Sequence, residues 1–473
     1  MFVIMVVVFV LGYLAIALEH PLHVDKAIPA LAIGTLMWVL YIFGAYDIFS
    51  AGLSEAWNSF AHSGEAHGEL GISAMRHFIV EKEIIHHLGE ISEILFFLLG
   101  AMTIVEVIDK HDGFKIITDK IKTLKKVKLL WILSFLTFFM SAALDNLTTT
   151  IVMVALLRKL IDDKETRWFF AAMVVLAANA GGAWSPIGDV TTIMLWIGGQ
   201  VTTINIIAKV ILPSLFTMIV PLALLSITLK GEVARPEIDA NEKVYTTMFE
   251  RKLFLIMGVC GLLFVPVFKT VTHLPPYMGM LLSLSVIWLV SELIHKDKSE
   301  EIKKRLKVIY ILQKVDTPTI LFFLGILSAV AALQSAGQLT ILASTLDDKL
   351  GNIFLIDMAI GILSAVVDNV PLVAGAMGMY PIEDAVSIAA MTDPAAIEYA
   401  SNFVQDGLFW EFLAYCAGTG GSILIIGSAA GVAAMGMEKI DFIWYMKRIS
   451  LLALLGYVAG AGVYYLQALL LHH

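Results

Sequence analysis

Ser141-Ala142-Ala143-Leu144-Asp145-Asn146-Leu147-Thr148-Thr149-Thr150 lies in the middle of an apolar run, 128–157. An ionisable side chain at the centre of a hydrophobic segment is expensive in a bilayer, so it faces a protein- or water-lined cavity and has a task there. The pattern recurs as Ser364-Ala365-Val366-Val367-Asp368-Asn369-Val370-Pro371, inside a second apolar run, 351–379. Both copies share the core Ser-Ala-x-x-Asp-Asn, which chance would rarely give twice.

The surrounding composition is that of a polytopic membrane protein. The 473 residues are 59% hydrophobic and 15% charged, with a mean hydropathy of +0.84, too few polar groups to cover a soluble globule of this size. The net charge of -9 says nothing about nucleic acid, and no such partner is expected. Its signs are segregated by loop, which makes them a guide to topology. Cys260 and Cys416 are far apart in apolar segments, so neither a disulfide framework nor a cysteine metal site is expected. The first segment lacks a basic leader and a small-residue cleavage site and reads as a retained helix.

Windows long enough to cross the hydrocarbon core fall at 1–18, 27–44, 88–108, 167–197, 206–229, 253–268, 277–294, 318–336, 409–437 and 449–471. The two runs carrying Asp-Asn are left over, and their flanks decide how they lie. Lys110, Lys115, Lys120, Lys122, Lys125, Lys126 and Lys128 precede the first, and Arg158, Lys159, Lys164 and Arg167 follow it. Asp347, Asp348 and Lys349 precede the second, with Glu383, Asp384, Asp393, Glu398 and Asp406, and no Lys or Arg, after it. Each run therefore has both ends on one side, basic flanks inside and acidic flanks outside. That predicts two re-entrant helical hairpins, at about 128–158 and about 351–379. The remaining basic loops then alternate and place both termini outside.

A larger duplication frames the hairpins. Glu93-Ile94-Leu95-Phe96-Phe97-Leu98-Leu99-Gly100 before the first echoes Ile320-Leu321-Phe322-Phe323-Leu324-Gly325 before the second. Gly181-Gly182-Ala183-Trp184-Ser185-Pro186-Ile187-Gly188-Asp189 after the first echoes Gly420-Gly421-Ser422-Ile423-Leu424-Ile425-Ile426-Gly427-Ser428 after the second. The expected fold is all-α: an inverted repeat, each half with five transmembrane spans, one hairpin and a glycine-broken helix. The halves are 1–229 and 253–473, joined by a cytoplasmic linker, 230–252.

Broken helices expose half-helix ends and free carbonyls, the ingredients of an ion or substrate site. The breaks are expected at Gly181-Gly182 and Gly420-Gly421. The tip carboxylates Asp145 and Asp368 offer the hard oxygens that a small cation such as Na+ takes, with Asn146, Thr148, Thr149, Ser364 and Asn369 adding neutral ones. Asn179 and Asp189 from the first break complete the cation- and proton-binding set. Ser141, Ser185, Pro186, Thr191, Thr192 and Ser422 support the hairpins and breaks. A metal ion and a proton would compete for the same buried carboxylate, and a carrier that crosses only when loaded with one or the other couples the two fluxes. Asp145 and Asp368 also suit the first turn of a half-helix, a role compatible with ion binding. The stretch holding His62, His67, His77, His86 and His87 reads as a solvated amphipathic surface helix.

The stretches quoted around Asp145, Asn179 to Thr192 and Asp368 resemble those of the NhaD-type sodium/proton antiporters of the ion transporter superfamily. The resemblance runs over nearly the whole chain. It implies exchange of cytoplasmic sodium or lithium for external protons, no enzyme activity and no cofactor. It further implies a multi-pass protein of the bacterial inner membrane, homodimeric, whose hairpin-bearing domains move against a scaffold. Dicarboxylate carriers of the superfamily have Ser-Asn-Thr at each tip. The added aspartates here would repel an anion with no Lys or Arg nearby, which places a sodium-coupled dicarboxylate symporter second. An intramembrane aspartyl protease fits poorly, because Pro186 stands where its Gly-x-Gly-Asp motif needs glycine.

Overall fold

The computed structural model describes residues 1–17, 24–52, 54–62, 71–118, 120–236 and 245–471. Among them every regular element is a helix, the conformation that pairs all its backbone polar groups within one segment and so suits a lipid solvent. In chain order the helices used below are α1 (Phe2–Ala17), α2 (Ala27–Ser50), α3 (Ile72–Lys110), α4 (Lys126–Leu144), α5 (Asn146–Leu160) and α6 (Lys164–Ala183). They continue with α7 (Val190–Ile197), α8 (Thr203–Thr228), α9 (Met248–Thr272), α10 (Pro276–Ile294), α11 (Thr317–Ser335) and α12 (Gln338–Leu350). The last are α13 (Ile353–Leu363), α14 (Asn369–Met379), α15 (Leu408–Gly420), α16 (Ala429–Glu438) and α17 (Ser450–Leu471). Eight of these, α2, α3, α4, α8, α9, α10, α11 and α17, are long and apolar enough to cross a membrane.

The chain divides into two compact units. One comprises residues 1–96, 316–356 and 370–382. Within it Gly34 of α2 and Gly325 of α11 bring their backbones into contact, so that a Cβ on either would strike the other chain. Lipid gives helices no hydrophobic reason to associate, and small residues that permit close approach take over that role. Polar groups lock the pair: Trp38 Nε1 donates to Ser328 Oγ at 3.0 Å and Tyr41 Oη to the Ser335 carbonyl at 3.1 Å.

The other unit comprises residues 97–315, 357–369 and 383–473. Gly456 and Gly460, four apart on α17, sit against the Thr217 and Pro213 carbonyls of α8, the small-x-x-x-small device again. Its apolar core draws Leu129, Leu133, Val154, Leu157, Val175, Leu222 and Tyr445 from five different helices and turns.

In this unit the chain doubles back at Asp145. Val233 N donates to Leu124 O at 2.8 Å, Lys126 N to Gly231 O at 3.0 Å and Asp162 N to Ala234 O at 2.9 Å. One short extended strip, 231–234, therefore holds both the start of α4 and the end of α5. The hairpin runs from Lys126 to Leu160, a little wider than the sequence suggested. The second hairpin, α13 and α14, turns through residues 364–368, and Tyr380 Oη donates to Asp347 Oδ1 at 2.9 Å just outside its two ends.

Three expectations need correction. The first break lies at 184–189, downstream of Gly181-Gly182, because α6 runs on to Ala183, whereas the second, 421–428, opens at Gly421 as expected. Both glycine pairs are points of close backbone contact. Gly181 lies on the Phe138 carbonyl and Gly420 on that of Gly361. Gly182 meets Gly188 as Gly421 meets Gly427, and Gly188 touches Ser141 O as Gly427 touches Ser364 O. Second, α9 starts at Met248, inside the expected linker, because Thr247 and Glu250 form a capping box there. Third, the histidine stretch is not a separate solvated helix. Residues 72–84 run directly into α3 through a π-turn at Ile79–Ile84, burying Phe78, Ile79 and Glu83 while His77 and His86 stay exposed beside Glu81 and Glu90. Glu65, His67 and Glu69, like Lys243, lie outside the described residues, as does the side chain of His62.

Candidate functional site

Asp145 is the hinge of the first hairpin, with φ 86° and ψ 157°, a backbone state that a non-glycine residue adopts only at a cost of about 1–3 kcal/mol. Its carboxylate holds the bend together. Thr148 N donates to Oδ1 at 2.8 Å and Thr148 Oγ1 to Oδ2 at 2.7 Å, so the side chain caps α5, where the helix dipole favours negative charge.

Asp189 occupies the end of the first break and caps α7 in the same way. Thr191 N donates to its Oδ1 at 3.1 Å, while Thr192 Oγ1 exchanges hydrogen bonds with its backbone. At 2% exposure it is the acceptor on which the site is centred. Asn146 Nδ2, the residue after the hinge, donates to Asp189 Oδ2 at 2.6 Å and to Asn179 Oδ1 at 3.1 Å. From the second hairpin, Asn369 Nδ2 approaches the same Oδ2 at 3.3 Å. Asp368 and Asp145 lie near enough for their charges to act on Asp189.

Asn179 carries the network across to the second break. Its Nδ2 donates to Ser422 Oγ at 2.8 Å and Ser428 Oγ at 2.9 Å, and Ser428 caps α16 by accepting from Gly431 N at 3.1 Å. Ser428 thus follows the contact glycine Gly427 and caps α16 as Asp189 follows Gly188 and caps α7. Serine hydroxyls pin the hairpins to the broken helices: Ser141 Oγ to Ala178 O at 2.6 Å, Ser185 Oγ to Ala142 O at 2.5 Å and Ser364 Oγ to Ala417 O at 3.1 Å.

The structure thus brings together Asp145, Asn146, Thr148, Asn179, Asp189, Asn369 and Ser422, with Asp368 within electrostatic reach. Ser141, Ser364 and Thr148 have their hydroxyl protons committed, whereas the hydroxyls of Thr149 and Thr150 are buried without a hydrogen-bond partner among the described residues. A buried hydroxyl left so is a free oxygen ligand in a place where being unpaired is costly. Pro186 shapes the break and touches none of these groups through a hydrogen bond. Among the described residues no three His, Cys, Asp or Glu side chains cluster as a transition-metal site would need. Any cation here takes its oxygens from a mixture of carboxylate, amide and hydroxyl.

Sequence reasoning undervalued Ser428, although the Gly427-Ser428 match to Gly188-Asp189 pointed to it. It missed buried Glu438, whose oxygens accept from Arg158 Nε at 2.7 Å and Arg167 Nε at 2.6 Å. These residues are hundreds of positions apart with no shared motif.

Comparison with known proteins gives the family. The profile of the family described as "Citrate transporter" (CitMHS) matches residues 13–401. The chain is 45% identical over 463 residues to Sodium/proton antiporter 1 of Arabidopsis thaliana, covering 97% of this chain and 71% of that protein. It is 43% identical to Sodium/proton antiporter 2 of the same plant, over 97% and 98% of the two chains. With the Na(+)/H(+) antiporter NhaD of Alkalimonas amylolytica it shares 27% identity over 99% and 91%. The chain belongs to the NhaD-type sodium/proton antiporter family of the ion transporter superfamily. It is a multi-pass membrane protein, and membership in this antiporter family points to transport rather than catalysis. In this NhaD-type chain the two Asp-Asn turns and both helix breaks meet through side-chain amides, a contact scheme that the family's Ser-Ala-x-x-Asp-Asn motif alone does not reveal.

Proposed function

We propose that the protein is a secondary active transporter that exchanges Na+, or Li+, for H+, with cation and protons competing for the buried aspartates. The observation that carries this reading is the convergence of Asn146 and Asn369 on Asp189, with Asn146 also donating to Asn179, while the hydroxyls of Thr149 and Thr150 are buried without a hydrogen-bond partner among the described residues. A partly dehydrated alkali cation needs several oxygens and compensating negative charge, and Asp145, Asp189 and Asp368 supply the charge. Asp145 and Asp368 are the Na+ ligands of this reading, with Thr148, Thr149 and Ser364 nearby and Asp189 either binding directly or holding the amides in place. When the cation leaves, a bare carboxylate in this setting is costly and a proton replaces it. Repulsion between partially dehydrated charges thereby enforces exchange over leak.

The repeated glycine contacts support two inverted halves, 1–229 and 253–473, the linker 230–252 between them, and hairpins that enter and leave on one face. On this reading the hairpins and broken helices shift together in an elevator-like movement within a homodimer. We place the protein in a bacterial inner membrane with both termini periplasmic, in keeping with its bacterial relatives and with the loop charges. Import of citrate, which the family description names, or of a dicarboxylate with sodium is disfavoured. The donors to Asp145 and Asp189 are Thr148, Thr191, Asn146 and Asn369, none of them a cation that would hold an anionic substrate.

The test uses purified protein in liposomes holding an acid-inside pH gradient. Sodium and lithium should dissipate it, and potassium should not. Sodium-dependent uptake of labelled citrate or succinate without proton movement would overturn the assignment.

A further inference from the structure

Asp357 is a buried acid that the site above does not use. It lies on α13, eleven residues before Asp368, where the first hairpin has Ser134 eleven residues before Asp145. It is fully shielded from solvent, and neither carboxylate oxygen has a hydrogen-bond partner among the described residues. Its charge reaches three titratable side chains, Cys416 of α15 and Tyr457 and Tyr464 of α17, and Tyr457 Oη donates to the carbonyl of the next residue, Met358, at 3.1 Å. No lysine, arginine or histidine acts on it; burial is the one influence felt there.

An ionised carboxylate in such surroundings would forgo every bond that water gives it, a loss of several kcal/mol. Selection would readily replace so costly a group by an apolar one unless the proton it carries were useful. Its neighbours also lead outward. Tyr464 Oη donates to Glu411 Oε2 at 2.7 Å. Glu411, itself buried, accepts from Asn205 and feels the charge of Lys209, both of which reach partly exposed positions. Inward, Asp357, Gly361 and Ser364 share one face of α13, and Ser364 anchors the turn that carries Asp368.

We propose that Asp357 is a second proton-binding site, not itself a sodium ligand, that holds a proton while the cation site is empty and gives it up when sodium loads, so that it carries one proton per cycle. The step is gain of a proton by the carboxylate from water on one side of the membrane and its loss to water on the other. It rests on the exchange reading and adds to it a fixed contribution to the proton count.

Two measurements test it on the full-length protein. In liposomes clamped at zero membrane potential, a given sodium gradient is opposed by increasing pH differences until net flux stops, which gives the protons moved per sodium. Asp357→Asn should still exchange but with one proton fewer; a fall from two to one, for example, doubles the balancing pH difference. Infrared spectra at neutral pH should show a carbonyl stretch of a protonated carboxylic acid that falls when sodium is added and is absent in Asp357→Asn. Should that variant fold poorly, Asp357→Ser, which copies Ser134 of the first half, takes its place. An unchanged proton count, or a carbonyl band that survives the substitution, overturns the proposal. If wild-type protein moves no protons in response to sodium, the exchange reading fails instead, and the band's absence in Asp357→Asn stands apart from it.

Discussion

Replacing Asp189 and Asp145 separately by asparagine gives two variants of equal size and charge change whose stabilities should differ. At Asp189 both oxygens are in use: Oδ1 accepts from Thr191 N at 3.1 Å, and Oδ2 from Asn146 Nδ2 at 2.6 Å. In Asp189→Asn, one of these places must hold an NH2 group. If the nitrogen takes the Oδ2 place, two donors face each other across 2.6 Å; if it takes the Oδ1 place, the cap on α7 is lost. Either way a buried donor is left unsatisfied, which costs about 1–3 kcal/mol. At Asp145 the partners are Thr148 N at Oδ1 and the Thr148 hydroxyl at Oδ2. A hydroxyl can accept as well as donate, so Asp145→Asn keeps both contacts and loses only the charge–dipole attraction, up to about 1 kcal/mol. Denaturant unfolding of the purified proteins in detergent, followed by tryptophan fluorescence, should show Asp189→Asn clearly less stable than Asp145→Asn. Both should lose sodium-driven proton movement. Equal stabilities would refute the role of Asp189 as shared acceptor, and wild-type exchange in both would refute the site.

Other outcomes follow from the same geometry. Thr149→Val removes a buried hydroxyl that no protein group uses, so stability should hold or rise slightly while the sodium concentration for half-maximal exchange increases about tenfold, the equivalent of roughly 1.4 kcal/mol; unchanged sodium dependence would place the cation elsewhere. Gly420→Ala drives a methyl group into the Gly361 carbonyl and should destabilise by about 1–3 kcal/mol, whereas Gly436→Ala meets open space and should be neutral or mildly stabilising; thermal unfolding compares the two. Just beyond the ends of α3 and α10, His111 Nε2 and His295 Nε2 lie 2.8 Å apart, a contact that needs at least one neutral ring. Burial first, then the charge of His295 for His111 and of Lys298 for His295, pushes both down to about 4 from an ordinary 6.5. The unfolded chain therefore binds more protons between those values, so stability is full above pH 6.5 and declines as pH falls toward 4. Substituting Gln at both positions should flatten that acid limb in unfolding measured from pH 7.5 to 4.5.

Much of this molecule could be read from its residues because lipid makes exceptions conspicuous. Asp145 and Asp368 stood out as charges within apolar runs, and lysines at both ends of the first run indicated a doubled-back chain, which the bonds to 231–234 display. The first break was misplaced because glycine has two uses inside a membrane. At Gly181 it serves backbone contact, and only the partner strands of a three-dimensional fold distinguish that from a bend. The centrality of Asp189 was also hidden. Nothing beside it in the chain marks it as a shared acceptor, because the amides that meet it come from positions 146 and 369. Asp357 escaped notice because a single acid in a short apolar helix carries no motif, and its isolation is visible only once the fold buries it.

The strip at 231–234 has a practical consequence. Because it grips both mouths of the first hairpin, that hairpin cannot slide by itself; whatever travels with Asp145 must drag the strip along. A fluorophore attached beside it, at Lys230 or Glu232, would ride with the cargo while sitting well away from the ions, and would register each excursion without disturbing the ligands.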